Sequence, residues 1–187
     1  NQGFTTDEAL EYVRAVKGCG LNFLEQPVES HDLAGMARVA KEAGDIAIGA
    51  DEGIHSLDDL KRHHDAKAAR GASLKAIKLG GARGVVAAAR LCDSLGMSVN
   101  VSCKTGESSV ACAAALHVAC VIPNIDWALT LTHTALGEDV TGRPIPTARG
   151  HVDGYRSAAM ERHQRGTAAP GSGGSRALRQ RGGTRGG

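Results

Sequence analysis

Charged residues follow three apolar segments of this sequence, and their spacing constrains the fold more than any other feature. The segments end at Glu25, Asp51 and Lys75. Glu25 and Asp51 are 26 positions apart, and Asp51 and Lys75 are 24 apart, close to the ~30 residues of one strand-plus-helix unit in an eight-unit barrel. Since all barrel strands run in one direction, residues at their carboxyl ends meet on one rim. The spacing therefore predicts converging charges, as in a metal-assisted proton-transfer site.

Predicted strands alternate with predicted helices along the chain. The strands are expected at residues 21–24, 46–50, 73–78, 98–103 and 125–131. The helices are expected from residue 6 to the glycines at 18–20, at 31–44, from 56, at 84–96 and at 108–122. This alternation is typical of a parallel α/β barrel or an open doubly wound sheet. Acidic strand ends favour the barrel, because a divalent ion prefers carboxylate oxygens; a phosphate cradle at Gly80-Gly81 would favour the sheet, on weaker evidence.

Composition limits the class of protein. A complete barrel of this kind usually exceeds ~200 residues, so 187 residues predict an incomplete one. The sequence has no run of 18 apolar residues, and residues 1–6 lack the pattern of a secretory signal; no membrane partner is expected. The five cysteines are odd in number and form no C-x-x-C pair, which favours reduced thiols and a cytoplasmic location.

The composition changes near residue 151. Seven arginines follow this point, against Asp153 and Glu161, among many glycines and few apolar residues. Such a segment buries too little surface to offset its ordering entropy. The sequence therefore predicts a barrel domain over 1–150 and a disordered Arg/Gly-rich tail over 151–187. Nucleic-acid binding by this tail is not expected, since no aromatic residues are interleaved with its terminal arginines.

Several motifs together resemble a known family. They are Asn1-Gln2-Gly3, Leu24-Glu25-Gln26-Pro27, Ala50-Asp51-Glu52, Leu74-Lys75 with Gly80-Gly81, and Glu107-Ser108-Ser109. In order and spacing they are similar to the catalytic barrel of the enolase superfamily, in its muconate-lactonizing-enzyme and mandelate-racemase branch, over roughly residues 1–147. The resemblance implies an incomplete TIM-like (β/α)7β barrel, a magnesium ion or alternatively manganese, and a small carboxylate substrate. It also implies a homo-oligomeric full-length protein.

The resemblance assigns roles residue by residue. Glu25 matches the second metal ligand of the family and Asp51 the third, while Lys75 matches the acid/base lysine of the sixth strand. Glu107 lies where relatives place a catalytic glutamate near the substrate, and Asp126 where some relatives contact the substrate. Taken alone, Glu25 would be a solvated loop residue and Asp51 a helix cap; Glu107 could equally complement the charge of a helix terminus.

Lys78 lies three positions after Lys75. On the predicted strand the two side chains point to opposite faces, so only one enters the barrel. The resemblance selects Lys75 and leaves Lys78 on the rim, in a substrate-binding role. An acid/base lysine must be neutral to accept a proton. In the family the partner lysine belongs to a second-strand Lys-x-Lys that this sequence does not contain; together with desolvation, that lysine is expected to lower the pKa of Lys75 towards ~7 to 8.

The two ends depart from the family pattern. Asn1 corresponds to the Asn of an Asp-x-Asn step whose Asp, the first metal ligand, would precede residue 1. The capping domain and first strands are absent, and the Arg/Gly sequence replaces the usual C-terminal segment. A gene fragment with a frame-shifted tail would explain both departures.

The function implied by the resemblance is abstraction of a proton α to a carboxylate through an enediolate-like intermediate. The enzyme would be a muconate cycloisomerase or a racemase/epimerase, and the isolated chain is expected to be inactive. Three alternatives stay open: an acid-sugar dehydratase of the same superfamily, a catalytically inactive barrel fragment, and an α/β binding module of unrelated ancestry.

Overall fold

Helices and strands alternate along the chain in the computed structural model, which describes residues 1–123, 125–148 and 151–152. The strands are β1 Phe23–Glu25, β2 Ala47–Ala50, β3 Gly71–Leu74, β4 Ser98–Ser102, β5 Ala128–Thr130, β6 Thr147–Ala148 and β7 His151–Val152. The helices are α1 Thr6–Ala15, α2 Leu33–Ala43, α3 Leu57–Asp65, α4 Ala82–Ser94 and α5 Ser109–Ala119, with a 3-10 turn at His133–Ala135.

The first five strands form one parallel sheet in the order β1-β2-β3-β4-β5. Each strand therefore pairs with its neighbour in sequence. A doubly wound sheet reverses its strand order part-way along, and a barrel does not. The described sheet is thus part of a TIM-like barrel that is incomplete, as the sequence predicts.

Side-chain caps define where the helices begin. At α1, Thr5 and Glu8 form a reciprocal capping box. Asp32 accepts a hydrogen bond from Gly35 N at the start of α2. Ser56 accepts one from Asp59 N at the start of α3, and caps of this kind each stabilise a helix by about 1 kcal/mol.

The apolar core lies between the helices and one face of the sheet. Alternate strand residues, including Ile48, Leu74, Val99 and Val101, are buried in two clusters with residues of the helices, such as Met36 of α2. Since strand side chains alternate between faces, the residues between them point to the opposite, inner face. The inner face carries small and polar side chains and positions the site described below.

An aromatic pair fills the inner face near the amino-terminal edge of the sheet. The rings of Phe23 and Trp127 stack with centroids 4.4 Å apart. A Cβ at Gly49 would lie 2.8 Å from the Trp127 ring, and one at Gly71 would overlap the same ring and the carbonyl of Ser98. Glycine at these two positions therefore makes room for the indole.

Several boundaries differ from the sequence prediction, most clearly the end of β3 and the limit at residue 150. β3 ends at Leu74 rather than at residue 78, because the chain turns at once: Lys78 N donates to Lys75 O at 3.1 Å and Gly81 N to Ala76 O at 2.8 Å. At the other boundary, residues 151–152 pair antiparallel with 147–148, so regular structure continues past residue 150. The rest of the predicted tail lies outside the described residues.

Within the described residues, every helix is too short or too polar to span a lipid bilayer.

Candidate functional site

Two lysines converge on one carboxylate at the carboxyl-terminal edge of the sheet. Lys75 Nζ lies 2.7 Å from Asp51 Oδ2, and Lys78 Nζ lies 2.8 Å from Asp51 Oδ1. Glu52 is the outer neighbour, at 3.3 Å from Lys75 and 3.7 Å from Lys78. The prediction that only Lys75 enters the site is wrong, because the turn after Leu74 brings both lysines to the same face.

Burial and charge act in opposite directions on these groups. Burial raises the pKa of Asp51, but the hydrogen bonds and charges of Lys75 and Lys78 outweigh it and hold that pKa below its usual value. Burial likewise lowers the pKa of Lys75, but Asp51 and Glu52 outweigh it and raise that pKa. Two carboxylates thus face one ammonium group in this arrangement, and the expected lowering, which depends on the partner lysine, stays a prediction.

Gln26 fixes the backbone that carries Asp51. Its side chain is fully buried; Oε1 accepts from Asp51 N at 2.9 Å and from Gly53 N at 3.4 Å, and Nε2 donates to Val28 O at 3.1 Å. Gln26 itself has a positive φ of 37°, an uncommon conformation outside glycine. The Glu25-Gln26 step thus places one side chain in the site and uses the next to hold the neighbouring loop.

Glu25 lies beside Asp51, and Asn1 joins them. The Asn1 Nδ2 group donates to Asp51 Oδ2 at 2.6 Å and to Glu25 Oε1 at 3.2 Å. The other carboxylate oxygen of Glu25 accepts a short hydrogen bond from the Ser73 hydroxyl. Residues more than 20 positions apart thereby form one polar cluster.

The arrangement fits a hard divalent cation. A cation lying where the Asn1 amide nitrogen lies would meet the carboxylates of both Glu25 and Asp51. Mg²⁺ is commonly held by one or two carboxylates, with waters and substrate oxygens completing its shell. In the part of the chain that the structure describes, no group of three His, Cys, Asp or Glu side chains is placed to hold a metal. The acidic metal ligands available at this point are the carboxylates of Glu25 and Asp51.

A polar layer of the inner face escaped the sequence prediction. Ser73 on β3 and Asn100 on β4 are 0% and 3% exposed, and Asn100 Nδ2 donates to Ser73 Oγ at 3.0 Å. The signal that could have found them is the alternation of apolar residues with small or polar ones along each strand, which places Ser73 on the same face as Lys75.

Among the described residues, Glu107 hydrogen-bonds the side chains of Thr132 and Cys112 and not this cluster. It lines a cavity of about 330 Å³ between the sheet and helices α4 and α5, together with Ile77 and Cys103. Burial, with contributions from Cys112 and Glu107, raises the pKa of the Cys103 thiol. Among the described residues no ion pair links Glu107 to either lysine, and its catalytic role stays a prediction.

Asp126 lies just before the last strand of the parallel sheet. β5 begins at Ala128, which is in register with Asn100, and Trp127 N bonds Val99 O at 3.2 Å. Asp126 therefore precedes the strand and lies at its amino-terminal edge, opposite Glu25 and Asp51. The substrate-binding role of Asp126 stays a prediction.

Comparison with known proteins places this arrangement in a family. A family profile described as "Enolase C-terminal domain-like" matches residues 1–171. The chain belongs to that family. The match confirms the resemblance to the muconate-lactonizing and mandelate-racemase branch of the enolase superfamily and excludes an α/β module of unrelated ancestry.

The relatives of this enolase-family chain include isomerases. The chain is 34% identical over 169 residues to o-succinylbenzoate synthase of Thermobifida fusca, covering 86% of this chain and 51% of that protein. It is 30% identical over 149 residues to chloromuconate cycloisomerase of Pseudomonas putida, covering 73% and 39%. The L-Ala-D/L-Glu epimerase structure from Bacillus subtilis superposes with a TM-score of 0.73 at 28% identity, covering 80% and 42%. The chain thus spans about half, or less, of the length of these relatives.

Proposed function

We propose that this chain carries the metal-binding and proton-transferring part of an isomerase-type enzyme. The reaction would begin with abstraction of a proton α to the carboxylate of a small substrate and pass through an enediolate-like intermediate. One observation carries the proposal: the Asp51 carboxylate contacts the ammonium groups of Lys75 and Lys78 and shares the Asn1 amide with Glu25.

Glu25 and Asp51 would hold the divalent ion. Both supply carboxylate oxygens to the same point, as Mg²⁺ or Mn²⁺ requires. Bound there, the ion offsets the negative charge that builds up on the substrate carboxylate, an effect worth several kcal/mol. Gln26 contributes indirectly, since it keeps the backbone of Asp51 in place.

The two lysines would divide the remaining work. Their side chains are 12% and 10% exposed, so they act in a site from which most water is excluded. Lys75 Nζ is the group that takes or returns the α-proton, and Lys78 Nζ binds the substrate carboxylate. Lys78 would exchange Asp51 for the substrate carboxylate. Lys75 would have to leave Asp51 and release its own proton to solvent before its neutral amine could accept the α-proton.

The class of reaction follows from the relatives. Cycloisomerases and epimerases are among them, so we favour cycloisomerisation or racemisation/epimerisation of a small carboxylate. Dehydration of an acid sugar begins with the same proton abstraction and remains the alternative, as does an inactive fragment. A cytoplasmic location and a homo-oligomeric full-length protein remain predictions.

Exchange of the α-proton with solvent deuterium tests the proposal. Because the isolated chain is expected to be inactive, it is first joined to the remaining part of a full-length relative. The hybrid is incubated in ²H₂O with Mg²⁺ and a panel of α-substituted carboxylates that includes Ala-Glu dipeptides, and loss of the α-proton signal is followed by ¹H NMR. We expect Lys75→Ala to slow exchange by about 10²- to 10⁴-fold and Lys78→Ala to raise KM mainly. Lys61→Ala is the matched control, because Lys61 is exposed and, within the described residues, its ion pair is with Asp58.

Two results would contradict the proposal. One is exchange that continues at the unsubstituted rate in Lys75→Ala. The other is no exchange by the hybrid with any of these carboxylates at a saturating concentration of Mg²⁺.

A further inference from the structure

A line of side-chain hydrogen bonds crosses the inner face of the sheet and ends on Glu25. Thr130 Oγ1 donates to Asn100 Oδ1 at 3.2 Å, and Asn100 Nδ2 donates to Ser73 Oγ at 3.0 Å. The Ser73 hydroxyl then donates to Glu25 Oε2. Four strands, β5, β4, β3 and β1, each contribute one residue to this line, which we call the Thr130–Glu25 relay.

The chemistry of the groups gives the relay one direction. An ionised carboxylate only accepts hydrogen bonds, so the Ser73 hydroxyl must donate to Glu25. The Ser73 oxygen can then accept from the amide nitrogen of Asn100, which leaves the amide oxygen of Asn100 facing Thr130. Every donor in the relay thus points along it towards the Glu25 carboxylate, and hydrogen bonds aligned in this way strengthen one another.

Burial makes the relay costly unless it is complete. Ser73 and Asn100 are fully enclosed by the fold, and an unsatisfied buried polar group costs about 1–3 kcal/mol. Apolar or small residues such as Ala or Val would fill these strand positions without that cost. These polar side chains are kept in a buried layer, and the line of hydrogen bonds ends on the carboxylate of Glu25. Their effect is therefore on that carboxylate.

We propose that Ser73 and Asn100 are positioning residues that fix the carboxylate of Glu25 for a divalent cation. The proposal rests on the function proposed above, in which Glu25 and Asp51 hold the ion. By occupying Oε2, the relay leaves Oε1 directed at the point it shares with Asp51, where the Asn1 amide lies. Hydrogen bonds that orient a metal-binding side chain in this way typically change metal affinity by about 10- to 100-fold.

Mn²⁺ alone is the probe, and the free ion is measured by electron paramagnetic resonance during titration of the 187-residue chain. We expect Ser73→Ala to raise the Kd for Mn²⁺ by about 10- to 100-fold. Ser73→Thr, which keeps the hydroxyl, should restore most of the affinity. The matched control is Ser102→Ala: Ser102 is also a buried strand serine, but it donates to the Cys103 carbonyl and lies outside the relay.

A purely structural role predicts a different result. Urea unfolding of each variant reports the loss of stability, and a structural role would destabilise Ser73→Ala without changing the Kd of the folded protein. If Ser73→Ala fails to fold, the Kd of Thr130→Val is the test of the proposal. Thr130 is an exposed residue, and its hydroxyl is the outermost donor of the relay. We expect its Kd to rise about threefold.

Failure of the relay proposal and failure of the proposed function give different results in these titrations. If Glu25→Gln loses Mn²⁺ affinity while Ser73→Ala, or Thr130→Val in its place, binds as the unsubstituted chain does, the relay proposal is overturned and the metal site stands. If Glu25→Gln binds Mn²⁺ unchanged, or the unsubstituted chain binds none, the proposed function fails and the relay proposal with it.

Discussion

The substitution Asp59→Asn tests the electrostatic reasoning at the start of α3. The Asp59 carboxylate accepts from the Ser56 hydroxyl at 2.8 Å and from His55 N at 3.0 Å, and it pairs with the Arg62 guanidinium. Its side chain is only 11% exposed. Asparagine keeps the shape but removes the charge and turns one acceptor into a donor, so some of these contacts must be lost.

The pKa of Asp59 indicates how much its charge contributes to the free energy of folding. Burial raises that pKa, but the contacts with Ser56, Arg62 and His55 outweigh it and lower it from 3.8 to about 2. A difference of almost two pKa units corresponds to about 2 kcal/mol of folding free energy. Because the folded-state pKa lies below the unfolded one, this stabilisation is complete above pH ~4 and is lost as the pH falls towards 2.

Urea denaturation at pH 7 and pH 3 measures the effect. We expect Asp59→Asn to lower the free energy of unfolding by about 2 kcal/mol at pH 7 and by about half as much at pH 3. The matched control is Asp58→Asn on the same helical turn; the Asp58 side chain is 83% exposed, so the change should stay within about 0.5 kcal/mol. Equal losses in the two variants at pH 7 would refute the reasoning.

Two further predictions concern packing and thiol reactivity. Gly71→Ala should destabilise the fold by about 1–3 kcal/mol, because the new Cβ overlaps Trp127; Gly3→Ala, with open space around it, is the control, and equal thermal stability of the two would contradict this. Ellman's reagent at pH 8 should modify the exposed Cys19 and Cys120 quickly, whereas the remaining thiols should react only after unfolding, since burial raises the pKa of Cys92 to about 12. Rapid modification of a third thiol in the folded protein would contradict this assignment.

The alternation of strands and helices and the helix starts could be predicted because each depends on local signals. Ser56 and Asp32 stand at the first turn of amphipathic segments, and both cap helices in the structure. The spacing of Glu25, Asp51 and Lys75 reports the length of one repeating unit. Such information lies within ~30 residues of sequence, so no knowledge of tertiary contacts is needed.

The sequence prediction fails where tertiary packing determines the end of a strand or the contacts of a side chain. Ala76 and Ile77 extend the apolar run beyond Leu74, but Ile77 is 65% exposed in the turn, and that turn brings Lys78 to Asp51. The apolar residues around Asp126 predict a strand that starts at residue 125. In the structure β5 starts at Ala128, because Trp127, just before it, stacks on Phe23. The Ser73–Asn100 contact joins residues 27 positions apart, and only the strand register determines it.

Mn²⁺ binding by carboxylate variants tests the central claim, that Glu25 and Asp51 together hold a divalent cation, most directly. Titrations followed by electron paramagnetic resonance compare the unsubstituted chain with Glu25→Gln and Asp51→Asn, and with Glu29→Gln, whose exposed carboxylate pairs with His31, as the control. The account predicts that each site variant raises the Kd for Mn²⁺ by at least about tenfold, while the control leaves it unchanged. Site variants that bind Mn²⁺ as tightly as the unsubstituted chain would contradict it.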